Sequence, residues 1–156
     1  MAKVFDFTLL GDAEINKFFK TATRSVQRML VRTAMKAAAV PVYESAKAKA
    51  PVDTGRLRDS MRIGRAKTKR DGVEIRIQTG SREELGIDAN ATGYYPMSQE
   101  TGWTDESGRQ HAAQPYMRPA LYENKEAVLS AIKSEFKHYI ASIKAGKVGR
   151  GRKIMG

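Results

Sequence analysis

Apolar residues recur at helical spacing in two long stretches of this chain and alternate with polar ones in a shorter stretch between them. From about Asp12 to Ala50, Val26, Met29, Leu30, Ala34, Ala37 and Val40 fall on one side at the 3.6-residue period, which predicts a long amphipathic helix. Asp12 stands where an N-cap belongs, and a break is expected near residues 20–23. Pro41 removes a backbone donor and clashes with the preceding turn, so a kink or a fresh start is predicted there. Pro51 ends the helix, because the residue before a proline is pushed away from helical angles. Upstream, the partial alternation from Val4 to Leu10 predicts a short strand closed by Gly11.

Beyond Pro51, Asp53 or Thr54 can cap a new helical turn over Arg56 to Met61, with Gly55 supplying the sharp bend. Asp71-Gly72 lies between Ile63–Thr68 and Val73–Ile77, where apolar and polar residues alternate, and predicts a β-hairpin with one face on the helix. Residues 81–93 read as a loop excursion containing the capping-box pair Ser81 and Glu84. Tyr94 to Trp103 reads as a third strand ending at Gly102, and Thr104 to Ala113 as a polar loop. Pro115 and Pro119 then bracket the opening of a last helix, with Leu121, Val128, Leu129, Ile132, Phe136, Ile140 and Ile143 at helical spacing. Glu123 and Glu126 near its start, Lys144 near its end and Gly146 beyond suit the helix dipole and a C-cap.

These elements define an α+β class: a long N-terminal helix and a C-terminal helix packed on a small antiparallel β-sheet. The 156 residues suit one domain, assigned to 1–145, followed by a basic, glycine-rich arm over 146–156 that is disordered by itself. A hydrophobic share of 41% beside 29% charged residues is that of a soluble globular chain, no apolar run is long enough for a membrane span, and no signal peptide is read. With no Cys and only His111 and His138 as nitrogen ligands, neither disulfides nor a zinc site is expected, and no cofactor is assigned.

Asp53-Thr54-Gly55 matches the tripeptide that carries the catalytic aspartate of aspartic proteases. Such a loop must be held by strands so that two carboxylates meet. Here an Ala/Lys-rich helix and a proline precede it and Arg56 follows, so the turn reading stands and the protease reading falls. Asp105, Ser107 and His111 share one polar loop with no nucleophile elbow, and no glycine-rich phosphate loop follows a strand. The chain is therefore expected not to be an enzyme.

Charge changes the picture more. The formal net charge is +11. Lys20, Arg24, Arg28, Arg32 and Lys36 recur every four residues along the long helix, with no acid between Glu14 and Glu44. From Arg82 to Glu106 the balance reverses, with one basic and six acidic residues. Opposed patches favour head-to-tail association, which closes into a ring when the rotation allows. Aromatics beside loops are interface anchors as well as core residues. The candidate subunit interface is thus Arg24, Arg28, Arg32, Glu83, Glu84, Tyr94, Tyr95, Trp103 and Tyr116, with Arg150 and Arg152 of the arm. The rival reading is a nucleic-acid-binding protein that lays the basic helix face and the arm on phosphates.

The order of features carries a resemblance. The long helix runs into Ala50-Pro51-Val52-Asp53-Thr54-Gly55-Arg56-Leu57-Arg58-Asp59-Ser60-Met61. A hairpin follows, then Tyr95 with Glu100-Thr101-Gly102, then Gln114-Pro115-Tyr116-Met117-Arg118-Pro119-Ala120. Over roughly residues 4–145 this resembles the neck or tail-completion proteins of tailed bacteriophages; the loop at 81–93 and the basic tail depart from that pattern. The resemblance implies a virion protein made in the bacterial cytoplasm, a ring subunit at the head–tail junction joining the capsid connector to the tail tube. It implies a hexamer by analogy with tail symmetry, partners in head-closure, connector, tail-terminator or tail-tube proteins, and a channel position compatible with contact to genomic DNA. Pro51, Asp53, Thr54, Gly55, Leu57, Glu100, Gly102, Pro119 and Ala120 carry over as scaffold positions rather than catalysts.

Overall fold

In the computed structural model, which describes residues 12–52, 54–69, 72–88 and 95–145, Asp12 caps the first helix as expected. Its Oδ1 accepts the Ile15 amide at 3.2 Å and its Oδ2 meets Lys137 Nζ at 3.1 Å. Helix α1 spans Ala13–Thr21 and α2 spans Arg24–Lys49, so the break near 20–23 is present. Gln27 fixes that corner. Buried to 5% exposure, it donates its side-chain amide to the carbonyls of Phe19 (2.6 Å) and Ala22 (3.1 Å), satisfying acceptors that the end of α1 leaves open.

α2 departs from the expected pattern. It runs through Pro41 as one 26-residue helix, so of the two outcomes expected there the fresh start does not occur. Proline there forfeits one amide donor, yet Ala38, Ala39 and Val42 are all buried around it, and their packing keeps the segment helical. Val26, Leu30, Ala34, Ala38, Val42 and Ala46, four residues apart and continued by Ala50, are buried, with Gln27 and Ala39 beside them, whereas Val40 is 40% exposed and Met29 and Ala37 are only half-buried. A four-residue repeat outruns the 3.6-residue turn by about 40° at each step, so the stripe winds round the helix instead of staying on one side.

The chain divides into two packed units, the first from Met1–Ala38, Arg65–Ile75 and Leu129–Gly156, the second from Ala39–Gly64 and Arg76–Val128. In the first, Ile15, Phe18 and Phe19 of α1 and Val26, Leu30 and Ala34 of α2 close on Phe136 and Ile140 of α6 (Lys125–Lys144). Edge-to-face aromatic pairs knit this core: Phe19 and Phe136 at 5.1 Å, Phe18 and Tyr139 at 6.2 Å. Such pairs add about 0.5–1.5 kcal/mol each beyond burial. Strands β2 (Lys67–Lys69) and β3 (Gly72–Glu74) pair antiparallel, with Thr68 opposite Val73, where the hairpin was expected.

The second unit holds a further core of Val42, Ala46, Ala50, Leu57, Met61, Leu85, Tyr116 and Ala120. Helix α3 (Arg56–Ser60) follows Gly55, whose φ of 77° is the left-handed conformation that glycine adopts without strain. Gly55 itself is the N-cap and no side chain caps α3, so Thr54 does not fill that role; Asp53 lies outside the described residues. Strands β1 (Arg62–Ile63) and β4 (Ile77–Gln78) pair antiparallel. The described excursion after them is pinned down: Ser81 and Glu84 exchange backbone-to-side-chain bonds of 2.7 and 3.3 Å, Glu84 forks onto Arg62, and Leu85 is buried.

Three further expectations change from Tyr95 onward. The third strand is instead helix α4 (Tyr95–Thr101); Pro96, Gln99 and Glu100 are buried at helical spacing, and burial of that face overrides the strand preference of the aromatics. The polar loop contains a small hairpin, β5 (Trp103–Thr104) with β6 (Gln110–His111). The last helix is two: α5 (Met117–Glu123) ends at Asn124, whose side chain donates to the Ala120 carbonyl at 2.8 Å, and α6 restarts at Lys125. Leu121 and Leu129, expected inside, are 53% and 47% exposed. The expected strand at residues 4–10 and the arm at 146–156 lie outside the described residues.

Candidate functional site

Glu100 is the hub of the second unit. Its residue is 8% exposed, and its two carboxylate oxygens accept the backbone amides of Tyr116 (2.9 Å), Met117 (3.0 Å) and Arg118 (3.0 Å). Those amides are the free donors at the opening of α5, which has no side-chain cap from its own N-cap residue Tyr116, so a carboxylate from α4 satisfies them from 16 to 18 residues away. Arg118 completes the clamp, donating Nε to Glu100 Oε1 at 3.2 Å and an η nitrogen to the Glu100 carbonyl. Burial pushes this carboxyl's pKa up, but the three amides and Arg118 outweigh it and hold it below the ordinary value. The carboxylate is a structural anion.

Gly102 closes α4 at φ 77°, and a Cβ there would lie 2.8 Å from the His111 carbonyl oxygen, so both conformation and space select glycine. The hairpin beyond it turns on Asp105. Its Oδ1 accepts the amides of Ser107 and Arg109 and the Ser107 hydroxyl, while Oδ2 meets His111 Nε2 at 3.0 Å. The Ser107 and His111 contacts chiefly hold the Asp105 carboxyl down at about 2. Both therefore bind the aspartate, whereas a nucleophilic triad requires His between Ser and Asp. The His111 ring is stacked on Trp103 at 4.4 Å, which makes the group a hairpin staple.

In the first unit, the basic face of α2 borders a groove of about 750 Å³. Arg24, Arg28, Arg32 and Lys36 line one side, and Ala66 and Thr68 of the facing hairpin line the other. All four cations are exposed, and no acidic residue lines the groove. Among the described residues the first unit carries twelve Lys and Arg against four Asp and Glu, whereas the second carries ten against ten. The excess positive charge therefore belongs to the unit that holds the groove.

The expected site residues are distributed unevenly. Leu57 and Ala120 are core, and Pro51 and Pro119 are half-buried. Tyr116 is 2% exposed, so it is a core residue of this chain and not a surface anchor; Tyr95 packs half-buried on the same core. Trp103 remains 39% exposed and Glu83 is exposed. Glu84 is engaged with Arg62 and Ser81 in its own chain. Tyr94, Arg150 and Arg152 lie outside the described residues. Sequence reasoning passed over Gln27, Arg118 and the groove's second wall. The alternation of Lys67, Thr68 and Lys69 opposite the basic helix was the available signal for the last.

Residues 13–96, more than half of the chain, match the HK97-gp10-like family, described as a bacteriophage HK97-gp10 tail component. The chain belongs to that family. Neither a curated protein nor a solved structure matches it at the significance required. The HK97-gp10-like match runs from α1 to the start of α4 and includes the groove, the Pro51–Met61 turn and the capped excursion. It stops before Glu100, so the clamp on α5 and the β5–β6 hairpin stand on this chain's own geometry.

Proposed function

We propose that this phage tail component acts at the head–tail junction, as one subunit of a ring that completes the tail and joins it to the capsid connector. The observation that carries this reading is the family match over residues 13–96. Surface chemistry supports it: Val52, Met97, Trp103, Leu121 and Tyr122 are each between 39% and 63% exposed in the second unit, apolar area suited to burial against neighbouring virion proteins. Residues 1–145 act as the ring-forming body and 146–156 as its arm, with six copies by analogy with tail symmetry. The role is structural, and no catalytic step is assigned. Among the described residues no helix is long and apolar enough to cross a membrane, in keeping with a place in the virion.

The test is the native mass of the purified chain, alone and mixed with tail-tube and connector proteins. A ring oligomer, or a defined complex with either partner, is expected; a monomer that ignores both overturns the proposal. Glu83 is the acid to reverse when testing head-to-tail pairing, since Glu84 already serves its own loop. Glu83→Lys is expected to weaken assembly and reduce its salt sensitivity.

A further inference from the structure

Arg24, Arg28, Arg32 and Lys36 succeed one another every four residues, a rise of about 6 Å per step, so four cations extend along about 18 Å of α2. Arg28, Arg32 and Lys36 enter no hydrogen bond or ion pair among the described residues, although acids are present in the same unit. Three of the four are engaged elsewhere, Asp12 with Lys137, Glu14 with Lys144 and Glu74 with Lys69, and the fourth, Glu135 on α6, does not line the groove. The facing wall adds no negative charge, and the hydroxyls of Ser25 and Thr68 offer donors beside the cations, whereas Thr33 donates its own to the Met29 carbonyl.

From this arrangement we infer that the groove is a binding site for the phosphodiester backbone of duplex DNA. Four exposed cations bordering one groove supply counterion release on a polyanion, the sequence-independent part of DNA affinity. The lining holds no aromatic side chain on which unstacked bases could lie, which disfavours single strands. It also holds no Asn or Gln to read adenine edges, and its Arg and Lys residues are assigned to phosphates. An acidic segment of another copy fits less well: of the acids between Arg82 and Glu106, Glu84, Glu100 and Asp105 are already committed to Arg62, Arg118 and His111. This inference does not rest on ring formation, and a monomer could satisfy it.

The experiment is a salt titration of duplex DNA binding by the full chain. Arg28→Gln with Arg32→Gln removes two phosphate contacts and should flatten the slope of log affinity against log salt by about 1.8, at about 0.9 per phosphate. Between 50 and 200 mM salt the wild type then loses roughly twelvefold more affinity than the variant. The paired control Lys47→Gln with Arg109→Gln, which removes the same charge from the second unit, should leave the slope unchanged. An equal fall in both pairs would mean diffuse attraction and would overturn the site, as would an unchanged slope in the groove variant. Competition by polyglutamate at equivalent charge would reassign the groove to an acidic protein, and preference for a single strand would reassign it to unpaired nucleic acid; either defeats the inference.

Discussion

The two units of this chain solve the same problem with different materials. The first packs Phe18, Phe19, Phe136 and Leu30 into an aromatic and aliphatic core and leaves Arg28, Arg32 and Lys36 outside its internal network. The second has smaller core residues, Ala46, Ala50 and Ala120, and relies on polar ties at the backbone: Glu100 on the amides of α5, Gln99's carbonyl on the Gln114 amide, and the Ser81–Glu84 box. Where large apolar side chains stabilise the fold, surface charge is free for partners. Where small residues bring elements close, acids are engaged by backbone amides, and Asp and Glu equal Lys and Arg in number among the described residues.

Four substitutions or conditions probe that contrast. Phe136→Ala should cost about 3–5 kcal/mol through the cavity it opens, with amide exchange rising first in α1 and the early part of α2. Glu100→Ala should cost about 3 kcal/mol by leaving three amides and a guanidinium without their acceptor, with exchange rising first at Tyr116 to Arg118; equal loosening at both cores would break the comparison. Asp12→Ala should have the smallest effect, loss of the α1 cap, read as fraying of Ala13 to Ile15 in amide exchange.

Acid sharpens the contrast further. Folding lowers the Glu100 pKa below the ordinary value near 4.5, so its contribution is present above that pH and is lost as pH falls through the folded value. Asp105, lowered from 3.8 to about 2, behaves alike, and the hairpin it staples should open between about pH 4 and 2. Asp12, lowered chiefly by Lys137, extends the same sign to the α1 cap. The Phe19–Phe136 contact contains no titrating group, so its chemical shifts should outlast those of Tyr116 in an acid titration.

What was legible in the sequence was local. Asp12, Ser81 with Glu84, Gly55 and the Asp71-Gly72 hairpin signal act within a few residues, and the caps, bend and strand pairing appear where spacing puts them, although Gly55 rather than Thr54 caps α3. What was hidden was long-range. Nothing near Glu100 tells that its partners are amides 16 to 18 residues away, and the aromatics of Tyr94-Tyr95 speak for a strand until Pro96, Gln99 and Glu100 are seen buried together. The family assignment was legible because its motifs are contiguous. The groove was half legible, since α2 announced its cations and the hairpin's approach did not show.

The β5–β6 hairpin leaves and rejoins the second unit through a narrow neck, the Gln114–Gln99 bond at 2.7 Å and the Glu100 clamp just beyond. The hairpin's described ties to the rest of the unit sit at this neck, and the tip adds its own Asp105 staple and the Trp103–His111 stack. In this chain the fingertip could therefore be lengthened, shortened or replaced while the knuckle at Gln99 and Glu100 holds, without refolding the hand.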